Sequence, residues 1–291
     1  MTQTGAEAVR PLAGWRVAIT RSADRAGALA DALAAAGAQP VLVPLIDFEV
    51  AEQEALGAAL ARLAAGEYRW LVVSSITTVR ALKQWCAAAG TTLADLIPGT
   101  TQVATIGPTS VAVLAAEGIH ATLAPTDVQS AAGLIQLWPQ ASNAGRVLLP
   151  QSDVAEPGLG DGIKAMGWAV EGVTAYRTVD YPARTGMRLT ATLAGSALPA
   201  GSYPQLTPAQ AAQELKDGRI SAVVLASGSA ARRVAATFAP LPQTCQVIAI
   251  GPPTRAEAQR LGLPVAATAV HPTPAGIVAA LRTAHNTFRT K

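Results

Sequence analysis

The chain is poor in the residues that most often carry chemistry. It has two cysteines, Cys86 and Cys245, and three histidines, His120, His271 and His285, in 291 residues. Two cysteines so far apart argue against a disulfide framework, and three histidines are too few for the usual zinc patterns. His120 and His271 stand near strand ends as surface residues and His285 lies in a polar tail, so histidine-dependent acid–base catalysis is disfavoured. Aromatics make up 4% and charged residues 14%. Lysine is limited to Lys83, Lys164, Lys216 and Lys291, so the 22 basic residues are mostly arginine, against 19 acidic ones. No Lys/Arg run is long enough for a nucleic-acid arm. Met1 to Arg10 lacks the apolar core of a signal peptide, and Pro98, Gly99, Gly107, Pro108 and Pro139 break the longest uncharged stretches. No membrane span and a cytoplasmic location are therefore expected. Neither G-x-x-x-x-G-K-[ST] nor G-x-S-x-G is present. Gly158-Leu-Gly160-Asp-Gly162 follows a strand, but position 163 is Ile, so the spacing is wrong for a dinucleotide loop.

What the chain does have is apolar material, 50% of it, much of it alanine. That excludes a disordered or fibrous protein. The length is twice the usual domain size of about 150 residues, so two domains are expected. Alanine is the strongest helix former, and alanine-rich stretches alternating with short β-branched runs predict an α/β class.

The sequence repeats itself. Arg16-Val-Ala-Ile-Thr20 matches Arg146-Val-Leu-Leu-Pro150 at an offset of 130, and Gly37, Val43 and Ile46 match Gly167, Val173 and Tyr176 without a gap. Trp70-Leu-Val-Val-Ser-Ser75 matches Ala222-Val-Val-Leu-Ala-Ser227 at 152. Gln102-Val-Ala-Thr-Ile-Gly-Pro108 matches Gln246-Val-Ile-Ala-Ile-Gly-Pro252 at 144, and Gly118 matches Gly262 at the same offset. The second copy thus gains 22 residues between about 182 and 213, a Gly-, Pro- and Ser-rich stretch that reads as a mobile loop, and then loses 8. Each copy offers five short apolar strands, near 16–20, 40–46, 70–74, 102–106 and 120–124, and near 146–150, 169–176, 222–226, 246–250 and 264–269. Ala26, Leu29, Ala30 and Leu33 follow the helical period and Gly37 ends that helix. Continuous apolar strands alternating with helices predict two similar parallel-sheet α/β lobes with a cleft between them.

Ligands of open parallel sheets bind beyond the carboxyl ends of the strands. There the sequence places Thr20-Arg21-Ser22, Ser74-Ser75 with Thr77 and Thr78, Gly107-Pro-Thr-Ser110, Ser227-Gly-Ser229 and Gly251-Pro-Pro-Thr254. Backbone N–H groups at helix starts, with hydroxyls beside them, suit anionic groups. The same residues are also ordinary helix caps, and duplication copies caps as faithfully as sites. Tyr176, in Val173-Thr-Ala-Tyr-Arg-Thr-Val179, either packs as a strand residue or offers a phenol to a ligand.

Taken in order, these segments resemble the uroporphyrinogen-III synthase family along nearly the whole chain. The carriers are Val17-Ala-Ile-Thr-Arg21, Val72-Val-Ser-Ser-Ile-Thr-Thr-Val79 and Ala104-Thr-Ile-Gly-Pro-Thr-Ser110 in the first half. Val173-Thr-Ala-Tyr-Arg-Thr178, Ala249-Ile-Gly-Pro-Pro-Thr254 and Pro272-Thr-Pro-Ala-Gly-Ile277 follow in the second. Thr77 stands where the family often has Asn, Ser110 takes a Thr position and Ala226 replaces a usual Thr or Ser.

The resemblance implies a discontinuous lobe, 1–45 with 178–291, and a second lobe, 46–177, joined by a two-stranded β ladder of about 45–49 and 175–179. Tandem halves divided near 143 would be the reading from the repeat alone. The implied reaction closes linear hydroxymethylbilane to uroporphyrinogen III with inversion of ring D, without metal or organic cofactor. Its implied site is Tyr176 as general acid, with Arg21, Ser75, Thr77, Gly107, Ser110, Ser227, Ser229, Gly251 and Thr254 holding substrate carboxylates; Arg177, Arg232 and Arg255 are further cationic candidates. A monomer is expected, with transient contact to the preceding pathway enzyme and no nucleic-acid or membrane partner. Two alternatives stand beside the enzyme: a non-catalytic bilobal protein that binds a tetrapyrrole or other polycarboxylate, and a periplasmic-type solute receptor.

Overall fold

A computed structural model describes residues 10–141, 145–194 and 202–289, without the side chains of 23, 24, 288 and 289. Along the chain it contains β1 (Arg16–Ile19), α1 (Ala23–Ala35), β2 (Gln39–Leu42), β3 (Ile46–Val50), α2 (Gln53–Ala64), β4 (Trp70–Val73) and α3 (Ile76–Ala88). Next come α4 (Leu93–Leu96), β5 (Gln102–Thr105), α5 (Pro108–Ala116), α6 (Ala131–Leu137), β6 (Arg146–Ser152), α7 (Gly158–Ala165) and β7 (Ala169–Asp180). The last third holds α8 (Pro208–Lys216), β8 (Ala222–Leu225), α9 (Gly228–Phe238), β9 (Gln246–Ala249), α10 (Pro252–Arg260), β10 (Val265–Thr268) and α11 (Pro274–Arg289).

The described chain divides into two units. One takes the residues up to Asp47, Asp180–Pro182 and those from 202 on; the other takes Phe48–Val179 and 183–194. The first unit is a parallel sheet in the order β10-β9-β8-β1-β2. The second is ordered β3-β7-β6-β4-β5, with β7, β6, β4 and β5 parallel. The repeat explains both orders. Matching β6 to β1, β7 to β2, β4 to β8 and β5 to β9 gives one common arrangement, entered at different points of the chain. The first two strands of each copy have joined the sheet of the other copy. The tandem reading of the repeat therefore fails, because β1 pairs with β8 (Val17 opposite Ala222) and β4 pairs with β6 (Trp70 opposite Val147).

Each sheet is covered on both faces, which is why its central strands are apolar throughout. Trp70–Val73 and Ala222–Leu225 are buried at every position. In the first unit Val17, Ile19 and Val224 face α1 and α11, while Ala18, Val223 and Leu225 face α8, α9 and α10. Helix α1 buries Ala26, Leu29, Ala30 and Leu33, as its period predicts. It stops at Gly37, where φ is +89°, with Gly37 N–H donating to Ala34 O and Ala38 N–H to Leu33 O. That αL turn favours glycine.

Several expectations need correction. Strand 40–46 is two strands: Pro44 has no N–H to continue the ladder, so β2 ends at Leu42 and β3 begins at Ile46. Its repeat partner has Thr174 in place of Pro44 and runs unbroken as the 12-residue β7, past the expected end at 176. The strand expected at 120–124 is a single bridge, Ala104 to Leu123, because Pro125 follows and cannot donate. Gly158, Gly160 and Gly162, whose spacing does not fit a dinucleotide loop, lie in helix α7; a Cβ on Gly162 would clash with Ile135 Cδ1, so glycine there lets α6 and α7 approach. His285 is not in a polar tail but on α11, edge-on to Trp15 at 4.9 Å.

The insertion is also more ordered than a loop reading allows. Its residues 195–201 lie outside the described ones. Before them, Leu189 and Leu193 are buried in the core and Arg80 donates to Leu189 O and Ala191 O, each at 2.9 Å. After them, Leu42 pairs with Gln205 and α8 begins on a full capping box from Thr207 and Gln210.

Candidate functional site

In each unit the chain leaves its first strand in one direction and returns on that strand's other side. The crevice this makes lies above β1 and β8 in one unit and above β6 and β4 in the other.

In the unit built on β1, Thr20 Oγ1 donates to Val224 O at 2.9 Å and ties the two central strands at that point. Arg21 follows, half-buried. Ser227 is the N-cap of α9, accepting from Ala230 N at 3.1 Å, and its hydroxyl meets that of Ser229 at 2.9 Å. Gly251 is the N-cap of α10 and Thr254 is buried in its first turn. Arg232 is engaged by Glu257 at 2.7 Å. Arg260 and then Arg232 hold the Glu257 carboxyl down at about 2, so this pair ties α9 to α10 rather than leaving Arg232 for a ligand. Arg255 is exposed.

In the other unit Ser75 caps α3 and accepts from Thr77 N at 3.1 Å; Thr77 is buried behind it. Gly107 caps α5, and Ser110 is buried in the first turn. Tyr176 Oη donates to Ser75 Oγ at 3.5 Å, and its ring lies edge-on to Phe48 at 5.6 Å. A bulge aims this tyrosine. β6 pairs Gln151 with Thr174 but Ser152 with Tyr176, leaving Ala175 as an extra residue. Alternation therefore breaks, and Ala175 and Tyr176 are both buried.

The structure thus gathers five of the ten expected site residues in each unit. One unit holds Arg21, Ser227, Ser229, Gly251 and Thr254; the other holds Ser75, Thr77, Gly107, Ser110 and Tyr176. It adds a cluster at the ends of β6 and β7 that the sequence reading passed over. Ser152 Oγ lies 3.0 Å from Thr178 Oγ1, Thr178 N donates to Asp153 Oδ1 at 2.9 Å, and Asp153 N donates to Tyr176 O. Arg177 Nε lies 3.9 Å from Asp153 Oδ2. The signal was present: Gln151-Ser152-Asp153 directly follow the apolar run 146–150, the rule that found the other positions.

Two features suit anions. Helices α3, α5, α9 and α10 carry no acidic residue in the first turn, a property they share with α6, α8 and α11, whereas α2, α4 and α7 carry Glu54, Asp95 and Asp161 there. An acid in that turn would occupy the positive end of the helix dipole. Gly107 and Gly251 supply no side-chain cap, and both have extended backbone, φ −179° and −177°. A Cβ would meet nothing closer than 3.7 Å at Gly107 and 4.0 Å at Gly251. Neither conformation nor packing requires glycine, so its absent side chain leaves these helix starts open to a ligand.

The two cysteines are free and buried, and burial pushes the thiols of Cys86 and Cys245 up to about 11 and about 12. Among the described residues no group of three or more His, Cys, Asp or Glu could hold a metal ion, and no helix is long and apolar enough to cross a membrane.

Comparison with known proteins gives consistent results. The family model described as Uroporphyrinogen-III synthase HemD matches residues 27–279. A uroporphyrinogen-III synthase of Synechococcus elongatus is 28% identical over 173 residues, 59% of this chain; the chain spans 63% of the length of that curated relative. A crystal structure of a mutant uroporphyrinogen III synthase from the extremely thermophilic bacterium Thermus thermophilus superposes with a TM-score of 0.59 at 15% identity, covering 94% of this chain and 99% of that one. The uroporphyrinogen-III synthetase of Helicobacter pylori gives 0.54 at 11% identity, covering 95% and 100%. These two share the α/β fold with its two parallel-dominated sheets. A family model that spans most of the chain decides the assignment: the chain belongs to the uroporphyrinogen-III synthase family.

Proposed function

We propose that the protein closes linear hydroxymethylbilane to uroporphyrinogen III, inverting ring D, as a cytoplasmic monomer without metal or organic cofactor. Family membership over residues 27–279 carries this reading. The chain forms two lobes, 1–45 with 178–291 and 46–177, except that 183–194 packs with the latter, joined by a ladder of β3 and β7, and the substrate lies in the cleft between them. The pairing of β3 with β7, and the division of the chain within both strands, support that arrangement. A two-stranded connection lets the lobes open and close.

The substrate carries eight carboxylates. The starts of α3, α5, α9 and α10, with Ser75, Thr77, Ser110, Ser227, Ser229 and Thr254, bind them, and Arg21 adds a guanidinium. Tyr176 donates its phenolic proton to the departing hydroxyl, which leaves as water and yields an azafulvene cation. Ring D attacks through its substituted carbon, and the spiro intermediate fragments and recloses. Since the free bilane closes unaided to the uninverted isomer, holding one conformation supplies much of the catalysis.

A coupled assay that generates the linear bilane tests the proposal. Isomer III as product supports it. Isomer I alone would leave a polycarboxylate-binding protein without turnover.

A further inference from the structure

At the opposite end of the β1 sheet, before the strands begin, lies a hollow of about 450 Å³. Its wall is the turn Arg10, Pro11, Ala13, Gly14 and Trp15 together with Arg282, His285 and Asn286 from the last turns of α11. Among the described residues no acidic side chain lines it.

The arginines here differ from most others in the protein. Arg16, Arg62, Arg146, Arg184, Arg232 and Arg260 each meet a carboxylate within 3.0 Å. Arg10 and Arg282, both exposed, have no ion-pair partner among the described residues. Basic side chains in the last turns of a helix offset its dipole, which accounts for Arg282 and His285. It does not account for Arg10, which comes from a different segment and faces the same hollow. Arg10 is also held there: a Cβ on Gly37 would stand 2.7 Å from Arg10 Cβ, so the glycine seats its stem.

The backbone supplies a further donor. In the turn, Ala13 N donates to Arg10 O and Trp15 N to Leu12 O, but Gly14 N–H has no partner among the described residues. Gly14 stands at φ +82° with no atom within 4 Å of its missing Cβ, on the open side of the turn. The floor is packed: Trp15 is buried and its indole lies edge-on to the His285 ring, 88° between planes.

Two guanidinium-bearing residues and a residue with an unpaired N–H line one concave site that has no acid among the described residues, a donor set that suits the oxygens of one small anion. We infer that this hollow binds an oxyanion, the phosphate or carboxylate group of a small metabolite. It lies at the amino ends of the strands, away from the carboxyl ends where the bilane is proposed to bind, so it is a second site with a separate ligand.

The test is titration of the full chain with inorganic phosphate and, separately, with succinate, read by calorimetry and by the amide resonance of Gly14. Saturable binding of either anion that moves the Gly14 amide is expected. Arg10→Gln/Arg282→Gln should weaken it by about tenfold or more, whereas Lys216→Gln, an exposed cation elsewhere on the surface, should leave it unchanged. Both arginines are exposed, so the double variant is expected to fold, and circular dichroism with a urea melt verifies that it has. Phosphate alone binding assigns a phosphorylated ligand; succinate alone assigns a carboxylate. No saturable binding, binding that leaves the Gly14 amide unmoved, or equal affinity in the double variant would overturn the inference. None of these outcomes bears on the isomer assay, so failure here and failure of the proposed activity are separable.

Discussion

At the scale of single residues, the site rests on small groups more than on strong acids and bases. Tyr176 is the exception, and its hydroxyl contributes little to the fold, since its hydrogen bond to Ser75 is 3.5 Å long. Tyr176→Phe is therefore expected to change stability by less than about 1 kcal/mol. Turnover of the bilane should fall by about tenfold without vanishing, because orientation and backbone dipoles remain. Unchanged turnover would remove the phenol from the mechanism. Gly107 and Gly251 make a complementary case. The space at each accepts a methyl group, and the gain from restricting the unfolded chain is offset by alanine's being a poorer N-cap than glycine, so Gly107→Ala and Gly251→Ala should change stability by no more than about 1 kcal/mol. Each should raise KM about threefold or more if a carboxylate approaches these helix starts. A thermal melt and a substrate titration on the same samples separate the two effects; an unchanged KM would return both glycines to the role of plain caps.

At the scale of elements, the descent from strand to helix was legible because each junction has a local signature. Ser75, Gly107, Ser227 and Gly251 are all N-caps, as an apolar run followed by Ser or Gly and then a helical period implies. What the sequence hid depended on distant partners. Ala175 is a bulge only because of what lies opposite on β6, and Gly162 is a packing residue only because Ile135 stands against it. The stretch after 182 looked loose because its composition is that of a loop, yet charge and backbone pairing anchor it to β3. Glu49 is buried and accepts from Arg184 N at 2.8 Å, Nε at 3.1 Å and Nη2 at 2.7 Å. On either side Val50 N donates to Met187 O and Leu189 N to Phe48 O, both at 2.8 Å. The Arg184 side chain, then its backbone N–H, hold the Glu49 carboxyl at about 2, below its ordinary 4.5. A carboxyl lowered on folding contributes stability that is full above its unfolded value and is lost as pH falls through the folded one. The contribution of Glu49 should thus be complete above about pH 5 and should fade between about 4.5 and 2. Glu49→Gln keeps an acceptor for the Arg184 N–H but cannot titrate. Urea melts should find the variant less stable at pH 7, with the gap to the parent closing toward pH 2; a gap independent of pH would show that the ion pair contributes nothing.

At the scale of the whole molecule, the repeat and the sheet orders make opposite statements about how to divide the chain. The repeat suggests a cut near 143. The pairings say that such a cut removes β8 from β1 and β6 from β4, which breaks both sheets at their centres. A cut at 46 and 194 instead keeps β3, β4, β5, β6 and β7 together, along with the 183–194 segment whose Leu189 and Leu193 complete that core. The expected outcome is that a fragment of residues 46–194 folds alone with a cooperative urea transition, within the range of about 5–15 kcal/mol typical of a single domain. A fragment of residues 1–143 should stay unfolded, since its four-residue strands β1 and β4 would each have lost a central neighbour while keeping apolar faces that no helix layer covers. Circular dichroism and urea titration of the two purified fragments decide the matter. Cooperative folding of 1–143 would mean that each copy of the repeat can close its own sheet, and that the exchange of first strands between copies is a choice the chain can reverse.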